Sequence, residues 1–500
     1  MRIDVLAHAA TAQILKPAQI EISGIACDSR EVMPGDLFAA LPGAKLDGCK
    51  YIRQAIARGA AAILCEKPEP SASVVVPQLV CKDARLGLAR AARAFFGYPD
   101  RRMKLGAITG TNGKSTTAYL VRHLMRHSGK HCGMLGTIEY DLGNEILEAP
   151  LTTPESLDLY RYLRDMADAG CEAAVMETSS HSLCQKRVAG IDFAVGVFTN
   201  LTQDHLDYHR TMDAYKDAKG ILFSNLSSQA VAVLNMDDAA GAYYSSRTKA
   251  NVLGFSVEDT SRRGEKVKHA ELHGRILGMD IHGTQFHIET PWGSRYVSWK
   301  LVGAHNVQNC LGAVASAISL GASFDSVVAG LATFEGVPGR LQSVGDDRGD
   351  VPFRVLVDYA HTDDALRSVM RAIRELKPSR LIAVFGCGGD RDRTKRPKMG
   401  KAVEEMADLG VITSDNPRTE DPQAIIADIW PGIQQQHKFL VEPDRAKAID
   451  LAIKEARAGD VLLIAGKGHE NYQIFGKEKR HFSDAEQSMA AIERRFGPAA

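Results

Sequence analysis

The sequence predicts an α/β protein in three domains: a small N-terminal α/β domain over residues 1–99, a central parallel-sheet domain over 100–339 and a C-terminal one over 340–500. Three observations carry this. Five hundred residues exceed what one hydrophobic core ordinarily serves. Apolar runs of strand length alternate with segments of helical periodicity, the pattern of parallel sheets covered by helices. Two joints rich in glycine and proline break the pattern, Gly97-Tyr98-Pro99-Asp100 followed by Arg101 and Arg102, and Gly336-Val337-Pro338-Gly339-Arg340.

Taken in order, the N-terminal domain shows strand-like runs at 61–65 and 73–76, with turns at Pro34-Gly35-Asp36 and Pro42-Gly43. The central domain shows apolar runs at 173–176, 195–198 and 231–234. Residues 264–300 alternate polar with apolar and read as an antiparallel edge. Beyond the second joint, runs at 355–358, 381–385, 409–413 and 461–464 alternate with helical patterns, a Rossmann-like arrangement.

Composition narrows the function. Lysine plus arginine total 61 and aspartate plus glutamate total 61, so no net field recruits nucleic acid or membrane phosphates, and small substrates are expected. No stretch approaches the roughly 20 apolar residues that span a bilayer. The N-terminal segment lacks the basic-then-apolar order of a signal peptide, so a cytoplasmic protein is expected. The 9 cysteines include no C-x-x-C pair and read as reduced, mostly buried small apolar residues.

The strongest local signal is LGAITGTNGKSTT at 105–117, an apolar run breaking into Gly110, Thr111, Asn112, Gly113, Lys114, Ser115 and Thr116 before a helical segment. Glycines let backbone N–H groups approach phosphate oxygens, Lys114 supplies a point charge, and Ser115 places a hydroxyl where Mg²⁺ would sit. Leu120, Val121, Leu124 and Met125 recur at helical spacing, so the loop caps a helix whose dipole also favours anions. The central domain therefore reads as P-loop ATPase-like, with ATP and Mg²⁺ as ligands. Ile108 stands where the usual motif has its first glycine, which makes this a shorter glycine-rich variant.

Ligands of open α/β sheets bind beyond the carboxyl ends of the strands. The run at 173–176 leads into Glu177 and His181, and that at 195–198 leads towards His205 and His209. Glu177 and His205 are candidate Mg²⁺ ligands, whereas His181 and His209 could as well be solvated loop residues. Lys219 sits in a helical pattern beside Ala218, Leu222 and Phe223, and on spacing alone reads as a surface lysine. In the third domain, the strand ends run into Gly386–Arg393, Thr413–Arg418 and Ala465–Glu470. These offer carboxylates for an ammonium and guanidinium groups for a carboxylate, a set suited to a zwitterion.

The segments GTNGKST, METSSH, TNLTQDHLDYH, YKDAKGILF, GAHNVQN at 303–309, GVPGRLQ at 336–342 and DYAHTDDAL at 358–366 together resemble the Mur ligase family along the whole chain. CDSREVMPGDLF, Thr152-Thr153-Pro154 and above all Asp415-Asn416-Pro417-Arg418 resemble the members that add meso-diaminopimelate to UDP-N-acetylmuramoyl-L-alanyl-D-glutamate. The resemblance implies that Asp28, Ser29 and Arg30 hold the uridine nucleotide, and that Thr152, Thr153, Ser179, Gln185 and Arg187 hold the muramoyl-dipeptide. It implies Glu177 and His205 as Mg²⁺ ligands with Ser115, and Lys219 as a carbamylated lysine bridging to a second Mg²⁺. Asn306, Asn309, Arg340 and Asp358 would contact ATP. Arg391, Asp415, Asn416, Arg418, Gly466 and Glu470 would hold diaminopimelate. Neither nucleic acid nor membrane is an expected partner, and a monomer is expected. One departure is Asp363 where the family often has proline, which alters a helix start. The rival from another class is a nucleotide-switched binding protein, which leaves the three charged strand ends unexplained. A metallohydrolase built on Asp204, His205 and His209 is a third reading.

Overall fold

A computed structural model describes residues 1–43, 47–70, 76–258, 270–346 and 348–498. Around the first 100 residues lies a five-stranded sheet in the order Gln13–Leu15, Gln78–Val80, Ala62–Cys65, Asp36–Ala39, Gly24–Ala26. It is parallel except where Gln13–Leu15 joins Gln78–Val80. The strand expected at 61–65 is present. Most of the run expected at 73–76 lies outside the described residues.

Among the described residues the central sheet has 11 strands. Its middle runs Asn251–Glu258, Val231–Asn235, Val195–Phe198, Lys104–Thr109, Ala173–Glu177, Cys132–Leu135, all parallel. Period-two alternation buries both faces. Ile108, Val175, Val197 and Val233 pack under the helices Lys114–His127 and Ala304–Leu320. Ala107, Met176, Phe198 and Leu234 pack on the opposite side under Ser156–Asp168 and Met212–Asn225. Each large apolar side chain buried this way contributes about 1.5–3 kcal/mol, which is why these runs carry no polar face. The edge expected at 264–300 appears as Leu272–Asp280, Gly283–Thr290 and Gly293–Trp299; its first residues lie outside those described. The edge is mixed, because Leu272–Asp280 joins Asn251–Glu258 in parallel before the hairpins turn antiparallel.

The third sheet orders Gln342–Val344, Arg354–Asp358, Val461–Ala465, Leu381–Phe385, Leu409–Ile412, Phe439–Val441, with only the first strand antiparallel. Leu356, Ala383 and Leu463 face the helices Asp363–Glu375 and Lys395–Met406. Val357, Val384 and Ile464 face Arg445–Glu455 and Asp484–Phe496. All 9 cysteines are free; Cys27, Cys49 and Cys184 are exposed and the rest buried. Among the described residues no helix is long and apolar enough to cross a membrane.

One fully buried ion pair ties the third sheet's strand ends to its helices. Arg445 donates to Asp484 through Nε and Nη2, both at 2.7 Å. It also donates to the carbonyls of Ser414 (3.3 Å), just past Leu409–Ile412, and Ala465 (3.0 Å), which closes Val461–Ala465, so it spans the ends of two strands with Leu381–Phe385 between them. Removing one member of such a pair strands the other charge in the interior. Arg445→Met should therefore lower unfolding free energy by about 3–5 kcal/mol in a urea titration; an unmoved midpoint would show that the pair contributes nothing.

Candidate active site

Lys104–Thr109 lies between Ala173–Glu177 and Val195–Phe198, with Ile108 opposite Glu177 and Thr109 opposite Phe198. Parallel register thus delivers the loop 110–116, Glu177 and Thr199 to one sheet edge. Gly110 has φ 154° and a Cβ there would fall 1.9 Å from Thr199 Oγ1, so no side chain fits without displacement. Gly113 has φ 84°, and its Cβ would meet Asn309 Oδ1 at 2.3 Å. Thr111 N donates to Asn200 O (2.8 Å) and Asn112 N to Asn200 Oδ1 (3.0 Å), which anchors the loop. The helix Lys114–His127 then begins, and the N–H groups of its first turn are free of intrahelical partners.

A cavity of about 350 Å³ opens over this loop, lined also by Thr152, Glu177, Ser179, Asp204, His205, Lys219, Arg340 and Tyr359. Glu177 is buried and accepts from Thr137 N (2.8 Å) and Thr137 Oγ1 (3.0 Å). Lys114 folds back on its loop, donating to Gly110 O (3.1 Å) and Thr111 O (2.8 Å), and desolvation pulls its ammonium below the ordinary lysine range. His205 stands exposed on the rim in a left-handed conformation, φ 53°, with its ring edge-on to His181. His209 is buried and bonds Ser180 Oγ at 2.9 Å, so its role is packing beneath the cavity.

Lys219 is not the surface residue its spacing suggested. It is 1% exposed, donates to Gly110 O at 2.8 Å and lies 4.3 Å from the centre of the Tyr215 ring. Burial first, and the neighbouring Lys114 charge second, push its amine well below the ordinary lysine value. The helix Met212–Asn225 turns this position inward because Ala218, Leu222 and Phe223 pack on the same side. Residue type alone carries no sign of that.

The other positions fall into three groups. Asp28 and Arg30 pair with each other at 2.6 Å and Ser29 donates to Gln54 (3.0 Å), away from the cavity. Thr153 donates to Glu177 O (2.8 Å) and accepts from Ser179 N (3.2 Å), while Arg187 grips Gln185 and the Thr153 carbonyl; these fix the turn beside Thr152 and Ser179. Asn306 and Asn309 are buried; Asn306 donates to Val302 O at 2.8 Å, and Asn309 backs Gly113. Arg340 lines the cavity, and its buried Nε finds no hydrogen-bond partner among the described residues. Asp358 accepts from Leu341 N and Ala360 N, both at 2.8 Å, clamping the joint that carries Arg340.

A second polar cluster sits at the carboxyl edge of the third sheet. Arg418, at φ 52°, donates to Gly389 O (2.8 Å), and its backbone is held by Ile474 and Gly476. Asn416 donates to Glu470 at 2.9 Å. Gly466, at φ 121°, leaves only 3.0 Å between its Cβ position and Asp415 Oδ2. Arg391 is exposed beside the glycine-rich turn. Such a set presents acceptors and donors a few ångströms apart, as a zwitterion requires.

Family models match three successive stretches: the Mur ligase family catalytic domain over residues 21–111, the Mur ligase middle domain over 108–317 and the Mur ligase glutamate ligase domain over 339–468. The chain belongs to the Mur ligase family. Among its relatives is a UDP-N-acetylmuramoyl-L-alanyl-D-glutamate--2,6-diaminopimelate ligase of Geobacter metallireducens, 43% identical over 96% of this chain and 97% of that one. One of the same name from Solibacter usitatus is 45% identical over 93% and 92%. A solved structure bearing that name superposes with TM-score 0.68 at 34% identity, covering 96% of this chain and 98% of its own. The MurF ligase of Thermotoga maritima, solved in complex with ADP, shares the fold with TM-score 0.58 at 18% identity, over 94% and 97%.

In this Mur ligase the sequence reading missed Thr137, Tyr215 and Tyr359 around the first cavity and Lys467 in the second cluster. Only Lys467 had a signal, its place in a charged segment at a strand end. Gly110→Ala should lower stability by about 1–3 kcal/mol through forced displacement of Thr199. Thermal unfolding checks this, and an unchanged midpoint would show that the loop yields freely.

Proposed function

We propose that this Mur ligase adds meso-2,6-diaminopimelate to the D-glutamyl γ-carboxylate of UDP-N-acetylmuramoyl-L-alanyl-D-glutamate, with ATP becoming ADP and phosphate. The reading places it in the cytoplasm as a monomer, in peptidoglycan precursor synthesis and, through that, in cell shape and division. Residues 1–99 would hold the uridine end, 100–339 the ATP and 340–500 the diaminopimelate. The observation that carries it is the turn Asp415-Asn416-Pro417-Arg418, which sets a guanidinium beside buried acceptors at the strand edge. The diaminopimelate ligases related along nearly the full chain support it.

Phosphoryl transfer comes first. The γ-carboxylate oxygen attacks the γ-phosphorus, forming the acyl phosphate as the bond to ADP breaks. Lys114, Arg340 and the N–H groups at the start of Lys114–His127 neutralise the charge gathered there. Glu177 and Ser115 with His205 at the rim fit Mg²⁺, for which a carboxylate, a hydroxyl and substrate phosphates are the usual donors. Among the described residues no three His, Cys, Asp or Glu side chains converge as a metal cage, so the phosphates would complete the shell. Mg²⁺ supplies charge neutralisation on the phosphate oxygens. Diaminopimelate's amine then attacks the acyl carbon, phosphate leaves and the amine gives up a proton. Both nucleophiles belong to substrates, so this chain's part is proximity and orientation. Asp28, Ser29, Arg30, Thr152, Ser179, Gln185 and Arg187 would orient the UDP substrate, with Thr153 bracing them.

Lys219 would carry the carbamate. Burial favours its neutral amine, the form that CO₂ needs: the nitrogen lone pair bonds to carbon, a C=O pair moves to oxygen and a proton leaves. Carbamate should therefore increase as pH rises through the depressed value and disappear in acid. With ¹³C-bicarbonate, NMR should show one carbamate resonance that Lys219→Met lacks; its absence at alkaline pH would remove this part of the reading.

ADP release with ATP, Mg²⁺ and the UDP-dipeptide should require diaminopimelate and not occur with L-lysine. Release with lysine alone would discard the acceptor assignment. Arg418→Ala should reduce kcat/KM for diaminopimelate by about a hundredfold, since a partly buried site built to pair a carboxylate loses its donor. Its KM for ATP should stay put, and equal losses in both would remove Arg418 from the pocket.

A further inference from the structure

Lys467 is the one member of the acceptor cluster that the substrate reading leaves without a role. It is 0% exposed, and its Nζ donates to Asn416 Oδ1 (3.2 Å) and Glu470 Oε2 (3.3 Å) and lies 3.8 Å from Asp415 Oδ1. Gly466 and Gly468 flank it at φ 121° and 53°, conformations that side chains rarely adopt. The loop thus turns this amine inward between two carboxylates. Asn416 Oδ1 also accepts from Ile474 N (3.0 Å), so Lys467 helps fix which end of that amide faces Glu470.

The charges around the pocket are balanced. Asp415 and Glu470 oppose Lys467 and Arg418. The nearby Arg445 is already neutralised by Asp484 at 2.7 Å, and Arg391, which the resemblance also assigns to the acceptor, is exposed, so solvent screens its charge and it is left out of the buried balance. A site of zero net charge suits the distal end of diaminopimelate, an ammonium and a carboxylate together. L-lysine offers there an ammonium alone, which a net negative pocket would welcome.

We infer that Lys467 is a specificity-determining residue, whose buried charge offsets one acceptor carboxylate and so disfavours an acceptor bearing a lone distal ammonium. Arg418 rejects lysine by lacking a partner; Lys467 rejects it by removing surplus negative charge. The two act on different parts of the competitor, as discrimination by repulsion and by attraction generally does. This rests on the diaminopimelate reading above.

The test compares kcat/KM for L-lysine with that for diaminopimelate in three proteins. Lys467→Gln keeps a hydrogen-bond donor and removes the charge; the lysine-to-diaminopimelate ratio should rise on the order of tenfold. Glu470→Gln removes a negative charge from the opposite side, and the ratio should fall below the parent's. A purely structural role moves both ratios the same way or neither, and either result overturns the inference. If Lys467→Gln does not fold, Lys467→Gln with Glu470→Gln restores the balance: a ratio above that of Glu470→Gln alone supports the inference, and an equal one overturns it. No diaminopimelate-dependent ADP release by the parent would instead end the reading beneath it, a failure distinct from unchanged ratios in active variants.

Discussion

Everything at the first cavity depends on how closely the backbone at Gly110 approaches the end of the neighbouring strand. Thr199 Oγ1 occupies the space a side chain at 110 would need, and donates to Asn112 O at 2.6 Å. Asn235 holds the Thr199 carbonyl at 2.6 Å from the next strand over. Three adjacent parallel strands therefore share in fixing one short loop. Because each strand is buried on both faces, the loop inherits the rigidity of the sheet, and Lys219 completes it by taking the Gly110 carbonyl from below.

The sheets were legible in the sequence because their signal is apolar burial, which strand-length runs of Val, Ile, Leu and Ala announce. Runs at 195–198 and 381–385 are strands over those same residues, and others differ by one residue where the last position is polar, as at Glu177 and Asn235. The glycine-rich turn at 110–116 was legible as a strand-to-helix connection because Gly110 and Gly113 stand between an apolar run and a helical pattern. Lys219 was not. Its inward direction is set by how Met212–Asn225 lies on the sheet, a tertiary matter that a polar residue in a helix does not advertise. Lys467 was hidden similarly: a lysine between glycines reads as a solvated loop until the hairpin Tyr472–Phe475 and Glu478–His481 and its neighbours close over it. Asp358 and Thr153 show the reverse case, residues matched to ligands by resemblance whose visible partners are backbone groups.

The joint between the second and third sheets is built of close backbone contacts. Gly339, at φ 66°, has His469 N only 2.1 Å from its Cβ position, and a Cβ at Gly468 would meet Tyr359 at 2.7 Å. The loop that carries Lys467 and Glu470 is thereby pressed onto the segment that carries Arg340. Burial and the Arg340 charge hold His469 near pKa 4, so this contact stays uncharged across the physiological range. Arg354 adds a strut from the third sheet, donating to Lys300 O (3.0 Å) and to Ile281 O in the hairpin edge of the second.

Arg340 and Tyr359 line the same cavity as the loop 110–116. Whatever fills that cavity touches two sheets at once, so its binding energy is also cohesion between them. By mass action an occupant at a hundred times its Kd adds about 2.7 kcal/mol to that cohesion. A nucleotide held there would serve the architecture as mortar, adding its own contacts to those of the joint and of Arg354.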